Sequence, residues 1–221
     1  NEPVIEVTAP VIEGQIVETF LINQVNMASL FATKAARVVK AAGGAGVADF
    51  AARRTHGTDA GNTFARASYI GGFVGTSNVG AGARYDIPTI GTMAHSFVMF
   101  HADEEEAFAA FSDSYPGDPT LLIDTYDTIE GAHKAVHVAK QLASQGRRLA
   151  AVRLDSGNLV ALSRAVRRIL DGAGLVDTRI FASGGLDEYE IARLLTAGAQ
   201  LDAFGVGTEL GTRGDAPSLD R

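Results

Sequence analysis

His95 sits in GTMAHSF, between Ala94 and Ser96, with little bulk around it. Small neighbours leave room for a ligand beside an imidazole, which can act as a base or a nucleophile. A structural ring held by hydrogen bonds is the plainer reading, and the residues alone leave both open. Asp124, Asp127 and Asp155 are the carboxylates of LIDTYDT and VRLDSGN. They could bind ribose hydroxyls, hold Mg2+ or stabilise positive charge on a sugar carbon. Asp127 is better read as the cap of a helix opening near Ile129, and Asp155 could cap one opening near Gly157. Arg53, Arg54 and Arg153 offer planar forks that match carboxylate and phosphate. Arg54 is read as structural, since adjacent side chains point different ways. Thr76, Ser77 and Asn78 could recognise a carboxylate or amide without adding charge, or cap a helix. Gly184 and Gly185 in ASGGLDE, with Gly205 and Gly207 in FGVGT, let backbone N–H groups approach a phosphate. Either motif alone could be a simple turn; the two at consecutive strand ends favour a phosphate.

The elements that must position these residues follow from periodicity. Residues 14–42 space apolar side chains by three and four, which predicts one long helix or two stacked ones, ended by Gly43 and Gly44. Short apolar runs then recur at 47–50, 73–75, 89–92, 121–124, 149–154, 179–182 and 203–206. Helical patterns at 62–70, 103–111, 129–144, 159–170 and 187–197 lie between them. Strand then helix, repeated, implies a parallel sheet with crossover helices. Seven candidate strands predict a closed or nearly closed β/α barrel, with an open doubly wound sheet as the alternative. Ligands bind such folds at the carboxyl ends of the strands, and the residues above all fall there. His133 and His137, one helical turn apart, lie in a helix body and are read as surface or packing residues. His101 is expected to be exposed, and His56 to touch ligand. The acids at 103–106 are read as a solvated helix start suited to the helix dipole.

Composition narrows the class. The chain has 221 residues, no cysteine and a formal net charge of −7. Disulfides and thiolate metal sites are excluded, a reducing cytoplasm is the default, and a broad nucleic-acid footprint is disfavoured. No window reads as a membrane span or a secretory signal. Residue 1 is Asn, and the sequence around it reads like mid-protein chain, so a piece of a longer polypeptide is expected.

Taken together, the motifs resemble the nicotinate phosphoribosyltransferases, a family of type II phosphoribosyltransferases. APVIEGQIVETFLINQVN, ATKAARVV, DFAARRTHG, GTSNVGAG, GTMAHSF, LIDTYDT, VRLDSGN, ASGGLDE, DAFGVGT and DAPSLD run in the family's order across nearly the whole chain. The resemblance implies an irregular parallel β/α barrel over residues 1–221, truncated at both ends, with a helical lead-in over 1–45 and strand–helix repeats over 46–221. The family's N-terminal domain, which supplies an aromatic residue to the base, and its C-terminal part would be absent. The implied reaction joins nicotinate to phosphoribosyl pyrophosphate, with Mg2+ and coupled ATP hydrolysis, in a cytoplasmic homodimer with shared active sites. His95 would carry the phosphoryl group from ATP. Arg53 and Arg153 would hold the donor or the nicotinate carboxylate, and Asp124 and Asp155 would face ribose and metal. Ser183, Gly184, Gly185, Gly205, Gly207 and Thr208 would cradle the 5′-phosphate, and Thr76, Ser77 and Asn78 would meet the base. Nicotinamide-using relatives carry aspartate where Ser77 stands, so a carboxylate substrate is favoured here. Nicotinamide or quinolinate transfer, and a non-catalytic phosphate-binding barrel, are the alternatives. Ala51 stands where the family more often has glycine, and Asn158 where it often has an acid.

Overall fold

The computed structural model describes residues 3–212. DAPSLD, with which the resemblance closes, lies outside the described residues. The elements in chain order are α1 (Val11–Ala41), β1 (Gly46–Asp49), α2 (Thr58–Ile70), β2 (Gly75–Thr76), α3 (Val79–Tyr85), α4 (His95–Phe100), α5 (Glu104–Ser114), β3 (Thr120–Leu122), α6 (Thr128–Ser144), β4 (Ala151–Leu154), α7 (Leu159–Gly172), β5 (Arg179–Ala182), α8 (Glu188–Thr196), β6 (Ala203–Val206) and α9 (Thr208–Gly211).

The six strands form one parallel sheet in the order β2-β1-β6-β5-β4-β3. The last strand pairs with the first, so this is the order of a ring cut between β2 and β3. The sheet curls into half of a β/α barrel. A strand expected at 89–92 is reduced to one parallel bridge, Thr89 to Thr76. It occupies the next seat in the ring, but Pro88 has no N–H to extend the ladder, and the chain soon turns into α4. The run expected at 73–75 pairs later, at Gly75–Thr76, and the one at 149–154 starts at Ala151.

Register sets the height of the site. Asp49 pairs with Thr76 on one side and Val206 on the other, and Leu154 pairs with Ala182. Ala182 pairs with Phe204, two residues before Val206, so by register Asp155 and Ser183 follow the sheet two residues short of Phe50, Ser77 and Gly207, at the same edge. Val47, Val152, Ile180 and Phe204 are fully or almost fully buried, as central parallel strands covered by helices require. Side-chain caps start the helices: Asp127 accepts from the N–H groups of Ile129 and Glu130, Asn158 from Ala161 and Asp187 from Glu190. Each such cap contributes about 1 kcal/mol. Asn158, not Asp155, starts α7, so the capping alternative for Asp155 falls.

α1 is one continuous helix, and its buried residues are confined to Phe31, Ala35 and Val38. Phe31 meets Phe64 of α2 edge-on at 5.0 Å. Val17 and Phe20 stay exposed and Leu21 and Val25 are half-buried, so the described residues leave the first half of the periodic face only partly covered.

The acidic start of α5 is not all solvated. Glu104 is 2% exposed and its carboxylate lies 3.4 Å from Lys134 Nζ. Burial raises its carboxyl above the ordinary value despite that cation. A raised group contributes stability that is present below the ordinary carboxylate pKa and lost as pH rises through the raised value. Glu104→Gln should therefore gain stability relative to the parent between about pH 4 and pH 7, read from thermal melts across that range. His101 is likewise drawn in: its ring packs on Phe97 at 4.9 Å, and Nδ1 lies 3.8 Å from Glu106.

Candidate active site

The strand ends hold two adjoining cavities. A cleft of about 630 Å3 is lined by Phe50, Arg53, Ser77, His95 and Arg153 among others. A smaller cavity of about 100 Å3 is lined by Phe50, Arg53, Arg54, Arg153, Asp155, Ser183, Gly184, Gly185, Gly205, Gly207 and Thr208. All six residues expected at a phosphate thus meet in one place, beside three arginines. Arg54, read as structural, is one of them.

Arg153 and Asp155 leave the end of β4 and organise both spaces. Arg153 donates from Nε to Ser183 Oγ at 2.7 Å, from Nη1 to Thr92 Oγ1 at 3.0 Å and from Nη2 to Asp155 Oδ1 at 2.8 Å. Its guanidinium also lies 5.4 Å from the centre of the Phe50 ring. Asp155 Oδ1 accepts a second bond from Ser183 Oγ at 2.7 Å, and Oδ2 lies 3.5 Å from His95 Nε2. Burial alone would raise the Asp155 carboxyl. The Arg153 charge, the hydrogen bonds from Ser183 and Arg153, and His95 outweigh it and hold the group below the usual carboxylate value.

Asp124 follows β3 and is buried. Its Oδ2 accepts from the Asp155 backbone N–H and from Ser156 Oγ, both at 2.7 Å. Its Oδ1 is buried with no hydrogen-bond partner. His95 opens α4, and its Nδ1 lies 3.1 Å from Thr125 Oγ1. The ring is therefore held between the end of β3 and the end of β4, one nitrogen toward each. Small neighbours do leave its surroundings open: Ala94 and Ser96 are exposed and line the same cleft.

The tripeptide Thr76–Asn78 is divided. Ser77 faces the cleft. Thr76 is fully buried and donates to Asp49 Oδ2 at 2.6 Å. Asn78 accepts from Ala81 N–H as the cap of α3 and donates to Asn62 Oδ1. Successive residues at a strand end alternate in direction, so only one of the three reaches the open side. His56 lies outside both cavity linings, and His133 and His137 are exposed on α6.

The glycines have distinct reasons. A Cβ on Gly184 would lie 2.2 Å from the Asp155 carbonyl oxygen, at φ +91. One on Gly207 would lie 2.6 Å from the Phe50 carbonyl oxygen. Neighbouring strand ends come so close here that only hydrogen fits, and the same closeness turns the backbone toward the small cavity. Sequence reasoning missed Asp49 and Phe50. Phe50 was visible as the last residue of DF before AARR, but nothing distinguished it from an ordinary strand end.

Comparison with known proteins identifies the family and the fold. The model of the nicotinate phosphoribosyltransferase (NAPRTase) family matches residues 46–216. Nicotinate phosphoribosyltransferase pncB2 of Mycobacterium tuberculosis is 54% identical over 100% of this chain and 47% of its own length. The Bacillus subtilis nicotinate phosphoribosyltransferase is 44% identical over 99% of this chain and 44% of its own. The crystal structure of human nicotinic acid phosphoribosyltransferase superposes with a TM-score of 0.82 at 30% identity, over 90% of this chain and 51% of that one. The chain spans about half the length of the curated relatives it matches. With a family match over most of its residues and relatives this similar, the chain belongs to the nicotinate phosphoribosyltransferase family.

Proposed function

We propose that this chain forms the catalytic face of an enzyme joining nicotinate to phosphoribosyl pyrophosphate. One observation carries the reading: Arg53, Ser77, His95 and Arg153 converge on a single cleft, next to a glycine-lined cavity beside three arginines. In that reaction the pyridine nitrogen attacks the anomeric carbon, and pyrophosphate leaves with the electrons of the broken C–O bond. The protein's part is to position two substrates and to stabilise positive charge on the sugar. Asp155, kept ionised by Arg153 and Ser183, supplies negative charge on that side, and buried Asp124 holds it in place through its backbone N–H. The small cavity takes the 5′-phosphate, and Ser77, a neutral hydroxyl, admits a carboxylate where an acid would repel it.

Mg2+, bound with the phosphates, would supply charge neutralisation for the departing pyrophosphate. No group of three or more His, Cys, Asp or Glu among the described residues could hold a metal alone. The donors fit an ion that would be held mainly by phosphate, with Asp155 the carboxylate in the small cavity's lining; Asp124 Oδ1, without a hydrogen-bond partner, is buried outside both linings. ATP is the further co-substrate: an imidazole nitrogen of His95 would take its terminal phosphoryl group with release of ADP, and water would later cleave the P–N bond to give phosphate and free His95. A homodimer with shared active sites, working in the cytoplasm, completes the reading. The uncovered apolar residues of α1 support a partner surface. No described helix is long and apolar enough to cross a membrane.

The test uses the full-length protein with Mg2+, phosphoribosyl pyrophosphate and, separately, nicotinate, nicotinamide or quinolinate, each with and without ATP. Nicotinate mononucleotide should be the product by mass spectrometry, with yield raised by ATP. His95→Ala should lose the ATP-dependent increase and keep the basal product. Product from nicotinamide instead would overturn the role of Ser77, and none from any base would return His95 to a structural ring.

A further inference from the structure

Asp49 is the last residue of β1 and is fully buried. It belongs to neither cavity lining, yet it touches both elements that carry cleft residues. Oδ1 accepts from the Ala51 backbone N–H at 2.7 Å, and the Ala51 carbonyl in turn accepts from the N–H groups of Arg54 and Thr55. This is the turn that presents Arg53. Oδ2 accepts from Thr76 Oγ1 at 2.6 Å, and the same hydroxyl oxygen accepts from the Asn78 N–H at 3.0 Å. That is the bend that presents Ser77. The backbone repeats the link, since the Ser77 N–H donates to the Asp49 carbonyl at 2.8 Å.

A carboxylate placed where it is fully buried is costly unless its oxygens are satisfied. Burial does push the Asp49 carboxyl up, against the bonds from Thr76 and Ala51 that pull it down. Simple packing would be served by an apolar residue of similar size. What an apolar residue could not do is receive one donor from each of two neighbouring strand ends.

We propose that Asp49 is a positioning residue: its carboxylate clamps the Arg53 turn to the Ser77 bend and so fixes the spacing of the two groups that grip the acidic base. The proposal rests on the reading of the cleft as the nicotinate site. Thr76 is part of the clamp, which gives the buried hydroxyl its purpose.

The experiment compares full-length wild type with Asp49→Asn, Thr76→Val and Thr76→Ser. Loss of a buried charge-assisted bond of this kind should raise the KM for nicotinate about tenfold, more than it lowers kcat. The KM for phosphoribosyl pyrophosphate should move much less, and Thr76→Ser should restore the nicotinate KM. Equal changes in both KM values, or no recovery with serine, would mean that the pair is ordinary core. If Asp49→Asn does not fold, the two Thr76 variants decide the matter. If wild type makes no product from nicotinate, the functional reading fails by itself. Amide exchange then tests the clamp: faster exchange at Ala51 and Asn78 in Asp49→Asn supports it, and unchanged exchange overturns it.

Discussion

Asp155→Asn is expected to lower kcat by about a hundredfold to a thousandfold, the scale seen when one preorganised charge-stabilising group is lost. The substitution keeps the size of the side chain, so its effect is electrostatic. Asp155 Oδ1 now takes two donors, from Arg153 Nη2 and Ser183 Oγ, while Oδ2 faces His95. An asparagine has one oxygen. It either turns its NH2 toward the Arg153 donor or gives up the face toward His95. Arg153 would then lose its only carboxylate among the described ion pairs, in surroundings where its side chain is 12% exposed. Breaking such a pair from one side leaves the other charge poorly compensated, so a stability loss of about 1–3 kcal/mol should accompany the kinetic defect.

The pH dependence separates the two effects. The Asp155 carboxyl is held below its ordinary value, so its contribution is present above the unfolded carboxylate pKa. It disappears as pH falls through the lowered folded value. Wild type and Asp155→Asn should therefore differ most in stability near neutrality and converge in acid. Steady-state kinetics on the full-length protein and thermal melts across the acid range provide both readouts. A kcat within about fivefold of wild type, which is close to 1 kcal/mol, would remove Asp155 from the charge-stabilising role.

Much of this site could be read from sequence because strand–helix alternation places the carboxyl end of every strand at the same edge of the sheet. Asp124, Arg153, Asp155 and the paired glycines are legible for that reason: each closes an apolar run and precedes a helical pattern. What is not legible is direction within a strand end. Thr76, Ser77 and Asn78 look equivalent as letters, and only the register of β2 against β1 sends Thr76 inward to Asp49. Asp49 itself was hidden because the carboxylate has no motif of its own and its side-chain partner, Thr76, comes from another strand. Helix α3 shows no periodic pattern because GTSNVGAG is rich in glycine, although a helix cap was one reading of Thr76, Ser77 and Asn78, and Asn78 is that cap. A Cβ on Gly82 would lie 2.5 Å from the Thr89 side chain, so that glycine serves close packing beside the bridge strand. The expected strand at 89–92 is cut to one bridge by Pro88, which lacks an N–H, and by the end of its partner β2 at Thr76, neither of which hydrophobic periodicity counts.

Gly131→Ala should be strongly destabilising, against the direction of helix propensity. Gly131 lies in α6, where alanine in place of glycine would by propensity add about 1 kcal/mol. A Cβ there would lie 2.1 Å from the Ile123 carbonyl oxygen and 2.9 Å from its carbonyl carbon. Both are backbone atoms at the end of β3, so no rotamer relieves the clash. α6 would have to move off the sheet, against Asp127 caps at its start and buried Ala132, Ala135 and Val138 along its face. Overpacking of this kind outweighs the propensity gain, for a net loss of roughly 2–4 kcal/mol. In a domain of this size that lowers Tm by roughly 5–15 °C. Ile123 precedes Asp124, so the shift also reaches the bond from Asp124 Oδ2 to the Asp155 N–H, and kcat should fall with stability. Gly14→Ala is the matched control: it lies in α1 with nothing within 4 Å of the added Cβ, and should raise Tm slightly. Opposite signs for one substitution in two helices would place the cost in the contact between α6 and β3. A rise in Tm for both would mean that α6 sits farther from the strand end than a hydrogen's width allows, and that Asp124 is not held by it.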